Sequence, residues 1–192
     1  MVKQTSHNNI SSKLNNNNII VSLHNNNINF DSLKSININN QLDLEKLKQL
    51  RTFNVYLYGD PKTGKNHLIT RLTASYLKNK ELSYNIQITF KIISNKADLN
   101  SLIKIENTKL LFIFDFSNID SFNNISVLLH TLAFNYNLID KALIIGNKID
   151  LPVIQVNHDY AKIVCEELNL NYMGISALHN LNISKLLGKI LI

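Results

Sequence analysis

Cysteine is almost absent from this chain of 192 residues, which contains a single one, Cys165. One cysteine cannot form an internal disulfide, so the sequence excludes the disulfide frameworks of small secreted proteins and favours a cytoplasmic location. Cys165 lies among apolar residues at helical spacing. We therefore expect a core thiol there and not a nucleophile.

Long apolar runs are also missing. The longest uninterrupted run, Leu110 to Phe114, has five residues, whereas a membrane-spanning helix needs about 18. The N-terminus lacks the apolar core of a signal peptide, Val2 stands where myristoylation needs glycine, and the C-terminus has no cysteine for prenylation. We expect no transmembrane segment and no lipid anchor, so that any recruitment to membranes depends on a partner protein.

Acidic residues are the scarcer charged class, with 14 Asp and Glu against 20 Lys and Arg, a net charge of +6. The excess is spread along the chain and forms no basic stripe, so nucleic acid is not an expected partner. The six histidines show no metal-ligand spacing. No metal site is predicted from them.

Asparagine is abundant instead: 31 residues in all, 13 of them within residues 1–40. This low-complexity stretch has no sustained helical or strand period and cannot bury enough apolar surface to offset its chain entropy. We predict a disordered Asn-rich tail over residues 1–50 and one domain over residues 51–192. Four leucines near the end of the tail would suit a short helix leading into the domain: Leu42, Leu44, Leu47 and Leu50.

Strand and helix signals alternate from Phe53 to the end of the chain. Strands are predicted at 53–58, 84–93, 110–116, 142–145 and 170–175. Apolar residues at helical spacing predict helices over 66–76 and around 125–132, 161–168 and 183–191. The runs at 110–116 and 142–145 are apolar on both faces, which is typical of buried parallel strands. The pattern predicts an α/β fold with a doubly wound, mostly parallel sheet.

A glycine-bounded loop lies between the first predicted strand of the domain and its helix. Its G-x-x-x-x-G-K pattern is that of loops that wrap phosphates with backbone N–H groups, while the lysine reaches the outer phosphates. A plain glycine turn is the alternative, which the strand–loop–helix context disfavours. The candidate phosphate-binding residues are Gly59, Asp60, Pro61, Lys62, Thr63, Gly64, Lys65 and Asn66.

A second motif, Asn147-Lys148-Ile149-Asp150, follows a buried strand, where doubly wound sheets bind ligands. It resembles the N-K-x-D guanine motif of small GTPases. With this motif and the phosphate loop together, the sequence resembles the small GTPases of the Ras superfamily, most closely the Rab branch. Ser176 and Ala177 resemble the S-A segment of that family. The resemblance covers residues 53–192. It implies a P-loop NTPase fold, GTP or GDP as the ligand, and regulatory or effector proteins as partners of a monomer.

An aspartate suits guanine recognition because its carboxylate can accept hydrogen bonds from the ring N–H and the amino group, a pair that adenine does not present. The resemblance implies that Asp150 makes these bonds and that Asn147 braces the loop. It further implies that the stem of Lys148 covers the base and that the N–H of Ala177 reaches the guanine carbonyl. An ATP-using P-loop kinase is disfavoured if Asp150 selects guanine over adenine.

Two positions depart from the family where hydroxyl groups coordinate Mg²⁺. Asn66 replaces the Ser or Thr that follows the phosphate-loop lysine, and an amide is a poorer ligand for a hard cation. Aligning residues 84–92 with the family's switch-one segment places Asn85 at the second position, with Thr89 as the alternative. We expect weak magnesium binding and assign no metal ligand with certainty.

The segment from Ile93 to Lys109 departs further, because it lacks the D-x-x-G turn and the water-positioning glutamine of the family. Two arrangements remain open: a helix around Asp98 to Ile103, or a third strand at 101–106. The helix is favoured because parallel strands need a crossover connection. Pro61 and Lys62 also replace small residues of the family's loop, so the γ-phosphate site is expected to be strained or narrowed.

Three functional hypotheses follow from these departures. The first is a guanine-nucleotide-binding, Rab-like protein with weakened or lost GTP hydrolysis, acting in vesicle traffic or signalling. The second is a nucleotide-free interaction scaffold. The third is an active GTPase that a partner completes. No catalytic residue is assigned in any of them.

Overall fold

The computed structural model describes residues 11–15, 18–22, 51–79 and 86–192. The strands in these parts are β1 (Ser11–Asn15), β2 (Asn18–Ser22), β3 (Arg51–Tyr58), β4 (Ile86–Ile92), β5 (Thr108–Asp115), β6 (Ala142–Asn147) and β7 (Asn171–Gly174). The helices are α1 (Lys65–Lys78), α2 (Lys96–Leu102), α3 (Ile119–Asn135), α4 (His158–Glu167) and α5 (Ile183–Ile190). None of the helices in these ranges is long and apolar enough to cross a membrane.

The strands form one sheet in the order β1-β2-β4-β3-β5-β6-β7. Five of them, from β4 to β7 in that order, run parallel to one another. Helices lie between successive parallel strands, as crossover connections require. The predicted α/β fold with a doubly wound, mostly parallel sheet is confirmed.

Ten residues of the segment predicted to be disordered belong to this sheet. Strands β1 and β2 form an antiparallel hairpin, and β2 pairs with β4, where Val21 lies opposite Ile88. The β-branched run from Ile19 to Val21 suits a strand, and β4 supplies an edge whose backbone groups need partners. The structure thus assigns strands to residues 11–15 and 18–22, while the division into a tail at 1–50 and a domain at 51–192 stays a prediction. The helix suggested by the leucines at 42–50 lies outside the described residues.

Helices cover both faces of the sheet. Leu111 and Ile113 of β5 pack into a core with α1 and α5, while Phe112 and Phe114 pack on the opposite face with α2, α3 and α4. Burial on both faces explains why β5 and β6 are apolar throughout. Cys165 is buried in the second core as expected, and burial, followed by the charge of Glu166, raises its pKa to about 12.

The segment between β4 and β5 contains a helix, as the first of the two alternatives predicted. Helix α2 begins after Asn95, whose side chain accepts a hydrogen bond of 3.0 Å from the Ala97 N–H. β4 and β5 pair with opposite edges of β3, so the chain must cross over β3 to join them. The alternative of a third strand at 101–106 is wrong, because that segment includes the end of α2 and the turns after it.

Candidate functional site

The candidate site residues lie where the parallel strands end. β3 ends at Tyr58 before the phosphate loop, β5 ends at Asp115, and β6 ends at Asn147. The chain after β7 continues into Ser176 and Ala177. Because the carboxyl ends of parallel strands share one edge of the sheet, the two predicted motifs meet there.

Two glycines allow the phosphate loop to approach its neighbours closely. A Cβ atom at Gly59 would overlap the backbone carbonyl of Ile113 in β5. Gly64 precedes α1 with a φ of 92°, a conformation that favours glycine, and a Cβ atom there would overlap the side-chain amide of Asn147. The two glycines of the motif are therefore required by the packing of the loop.

Lys65 is the first residue of α1, and its side chain turns back into the loop. Its Nζ donates to the carbonyl oxygens of Gly59 at 2.8 Å and Asp60 at 2.6 Å. Burial lowers the pKa of the Lys65 ammonium, while the charge of Asp60 acts in the opposite direction. The lysine predicted to reach phosphates thus lies inside the curve of the loop.

The remaining loop residues divide between buried and exposed. Thr63 is buried, and its hydroxyl donates to the Asp60 carbonyl at 2.9 Å. The carboxylate of Asp60 accepts a hydrogen bond of 2.8 Å from Asn124 of α3. Pro61, Lys62 and Asn66 are exposed. Lys62 has a φ of 66°, which is unfavourable for a residue with a Cβ atom and fits the strain expected at this position.

Asn147 joins the two motifs. Its Nδ2 donates to the carbonyl of Thr63 at 2.9 Å, and its Oδ1 accepts from the N–H of Ala177 at 3.0 Å. The residue is 2% exposed. Asn147 therefore connects the phosphate loop to the segment after β7, and its role in holding a nucleotide site stays a prediction. The N–H of Ala177, by contrast, is already engaged by Asn147, so the predicted bond to a guanine carbonyl would have to share or replace this contact.

Asp150 and Ser176 both contact His179, a residue that the sequence did not single out. The imidazole Nε2 of His179 lies 3.5 Å from an oxygen of Asp150, and its backbone N–H donates to the Ser176 hydroxyl at 3.0 Å. Arg71 of α1 holds the same loop by donating to the carbonyl of Ala177 at 3.0 Å. The segment after β7 is therefore tied to both the guanine motif and the helix of the phosphate loop.

Lys148 makes a contact that the sequence did not predict. Its Nζ lies 2.5 Å from Asp115, whose other oxygen accepts hydrogen bonds from the backbone and hydroxyl of Ser117. Burial acts to raise the pKa of Asp115, but the bonds from Lys148 and Ser117 outweigh it and hold that pKa below its ordinary value. The sequence signal that could have predicted this pair is that Asp115 ends β5 and Lys148 follows β6, the neighbouring strand.

Replacing Asp115 by asparagine is expected to lower the free energy of unfolding at pH 7 by about 1 to 3 kcal/mol, because a charge-assisted hydrogen bond is lost. The depressed pKa means that this contribution is complete above the unfolded-state pKa of about 4 and is lost as the pH falls through the folded-state value. Urea denaturation should show the same difference in the free energy of unfolding at pH 7 and 5 and a smaller difference at pH 3.

Asp140, an exposed aspartate, provides the control. Asp140→Asn should change the free energy of unfolding little at any pH. A difference between wild type and Asp115→Asn that stayed unchanged at pH 3 would contradict the assignment of this contribution to the Asp115 charge.

Comparison with known proteins places the chain in a family. The model of the Ras family matches residues 97–191. Ras-related protein Rab-1 of Theileria parva is 30% identical over 155 residues, with 69% of this chain and 70% of that protein covered. The chain belongs to the Ras superfamily of small GTPases. Membership implies guanine-nucleotide binding and regulatory partners. Within the superfamily, the chain is Rab-like. The match to the family model begins after residues 59–66 of this small GTPase, so the phosphate loop there stays a prediction from its sequence pattern.

The predicted site of this small GTPase has its motif residues at one edge of the sheet, and the weak magnesium binding expected there stays a prediction. Gly59, Gly64 and Lys65 are the predicted phosphate-binding residues, and Asp150 is the predicted carboxylate for the base. Within the described ranges no three His, Cys, Asp or Glu side chains form a group that could hold a metal ion. Asn66 offers only an exposed amide, and Asn85, the other degenerate position, lies outside the described residues.

Proposed function

We propose that this protein binds guanine nucleotides at the junction of the two motifs and that its GTP hydrolysis is weakened or lost. The observation that carries the proposal is the Asn147 bridge, because one buried side chain fixes the phosphate loop relative to the segment expected to meet the base. A nucleotide needs both at once, since its phosphates and its base occupy the two ends of one ligand.

Weak hydrolysis is inferred from the parts that GTPases use and that are missing here. Hydrolysis relies on Mg²⁺, the loop lysine and a residue that orients water. Lys65 is in place, whereas β4 ends at Ile92 and only Ile93 and Ser94 separate it from Asn95, the N-cap of α2. Residues 92–95 contain no carboxylate and no glutamine. We infer a nucleotide-dependent interaction module, in vesicle traffic or signalling as the Rab resemblance implies.

Calorimetric titration with GDP, GTP and ADP tests the proposal, with wild type and Asp150→Asn compared. We expect wild type to bind GDP more tightly than ADP. In the variant the ratio of the two affinities should fall by at least about tenfold, because an amide cannot accept both guanine hydrogen bonds. Asp140→Asn is the matched control and should behave as wild type. Single-turnover assays with GTP should show little phosphate release.

The other outcomes point to the competing hypotheses. No binding of any nucleotide would contradict the proposal and favour a nucleotide-free scaffold. Rapid GTP hydrolysis, alone or after addition of a regulatory protein, would leave nucleotide binding standing and contradict the loss of catalysis.

A further inference from the structure

The carboxylate of the phosphate loop and the carboxylate at the end of the neighbouring strand β5 each have a side-chain partner. Asp60 accepts from Asn124 at 2.8 Å, and Asp115 pairs with Lys148 at 2.5 Å. Mg²⁺ in nucleotide sites is usually held by one or two carboxylates or hydroxyls together with phosphate oxygens. In the part of the chain that the structure describes, this loop therefore has a poor donor set for the ion that normally neutralises phosphates.

Lys62 places a second cation on the same loop. It is exposed, and its ammonium makes no hydrogen bond or ion pair with any described residue. The chain keeps a left-handed conformation at Lys62 although this costs a residue with a Cβ atom. Lys65, three positions further on, is bound to the loop carbonyls. The loop thus has two ammonium groups: that of Lys65 is hydrogen-bonded to loop carbonyls, and that of Lys62 is exposed.

We propose that Lys62 neutralises the phosphates of a guanine nucleotide in place of magnesium, so that the protein binds a nucleoside diphosphate or triphosphate independently of Mg²⁺. The inference rests on the proposed function, because it concerns the same site. An ammonium is a compact point charge that suits phosphate oxygens, and a lysine at the rim adds this charge without the ligand geometry that Mg²⁺ demands.

Titration of the full chain with GDP, in Mg²⁺ and in EDTA, tests this inference. Wild type should change its affinity by less than about threefold between the two conditions. Lys62→Gln should weaken GDP binding by about tenfold in EDTA, the effect of losing one charge-assisted contact. Lys78→Gln, at the far end of α1, is the matched control and should bind as wild type.

A second variant separates charge from backbone strain. Lys62→Gly relieves the left-handed conformation and should raise the melting temperature, yet it should weaken GDP binding as much as Lys62→Gln does. Wild-type affinity that falls 100-fold or so in EDTA, or a Lys62→Gln variant that binds as wild type, would overturn the inference while leaving the proposed function intact. Absence of guanine-nucleotide binding in both conditions would overturn the proposed function itself.

Discussion

Replacing Asn147 by leucine is expected to lower the free energy of unfolding by about 2 to 6 kcal/mol, the cost of leaving two buried backbone groups without partners. The groups are the carbonyl of Thr63 and the N–H of Ala177, both of which bond only to the Asn147 side chain among the contacts the structure shows. Leucine has the same branched skeleton as asparagine and is larger, so the substitution leaves no cavity and removes both hydrogen bonds. Urea denaturation at pH 7 measures it.

Asn124→Leu is the matched control, because Asn124 is exposed and its amide bonds to a partly exposed carboxylate, that of Asp60. Water can replace that contact, so the free energy of unfolding should change by less than about 1 kcal/mol. Equal effects of the two substitutions would mean that Asn147 is not the connection between the phosphate loop and the segment after β7.

The fold was predictable because its signals are local and repeated. The apolar run of β5 and the apolar spacing of α5 each indicate their element without reference to the rest of the chain. The hairpin of β1 and β2 was not predictable in the same way. Its strands lie among asparagines that carry no periodic signal, and β2 pairs with β4, a contact that local composition does not encode.

The site was predictable in its motifs but not in its contacts. The spacing of glycines and Lys65 indicates a phosphate loop, and Asn147 with Asp150 indicates the guanine motif. The pairs Asp115–Lys148 and Asp150–His179 join side chains from different loops. Such pairs depend on how the strand ends are arranged at the sheet edge, which a single sequence leaves undetermined.

Replacing Lys65 by methionine is expected to weaken GDP binding by about 10- to 150-fold, because an ammonium–phosphate hydrogen bond contributes about 1.5 to 3 kcal/mol. Methionine keeps most of the apolar stem, and the carbonyl oxygens that Lys65 contacts belong to half-exposed residues that water can reach. The melting temperature should therefore change little. Lys78→Met, at the other end of the same helix, controls for the loss of one positive charge.

Comparing the loss of affinity for GDP with that for ADP tests which residue contacts the phosphates and which contacts the base. Lys65→Met should weaken GDP and ADP binding by the same factor, because Lys65 is predicted to contact phosphates, which the two ligands share. Asp150→Asn should reduce the affinity for GDP alone, since only guanine presents the two donors that a carboxylate can accept. A Lys65→Met variant that lost GDP and kept ADP would contradict the assignment of Lys65 to the phosphates, and so would a melting temperature that collapsed with the affinity.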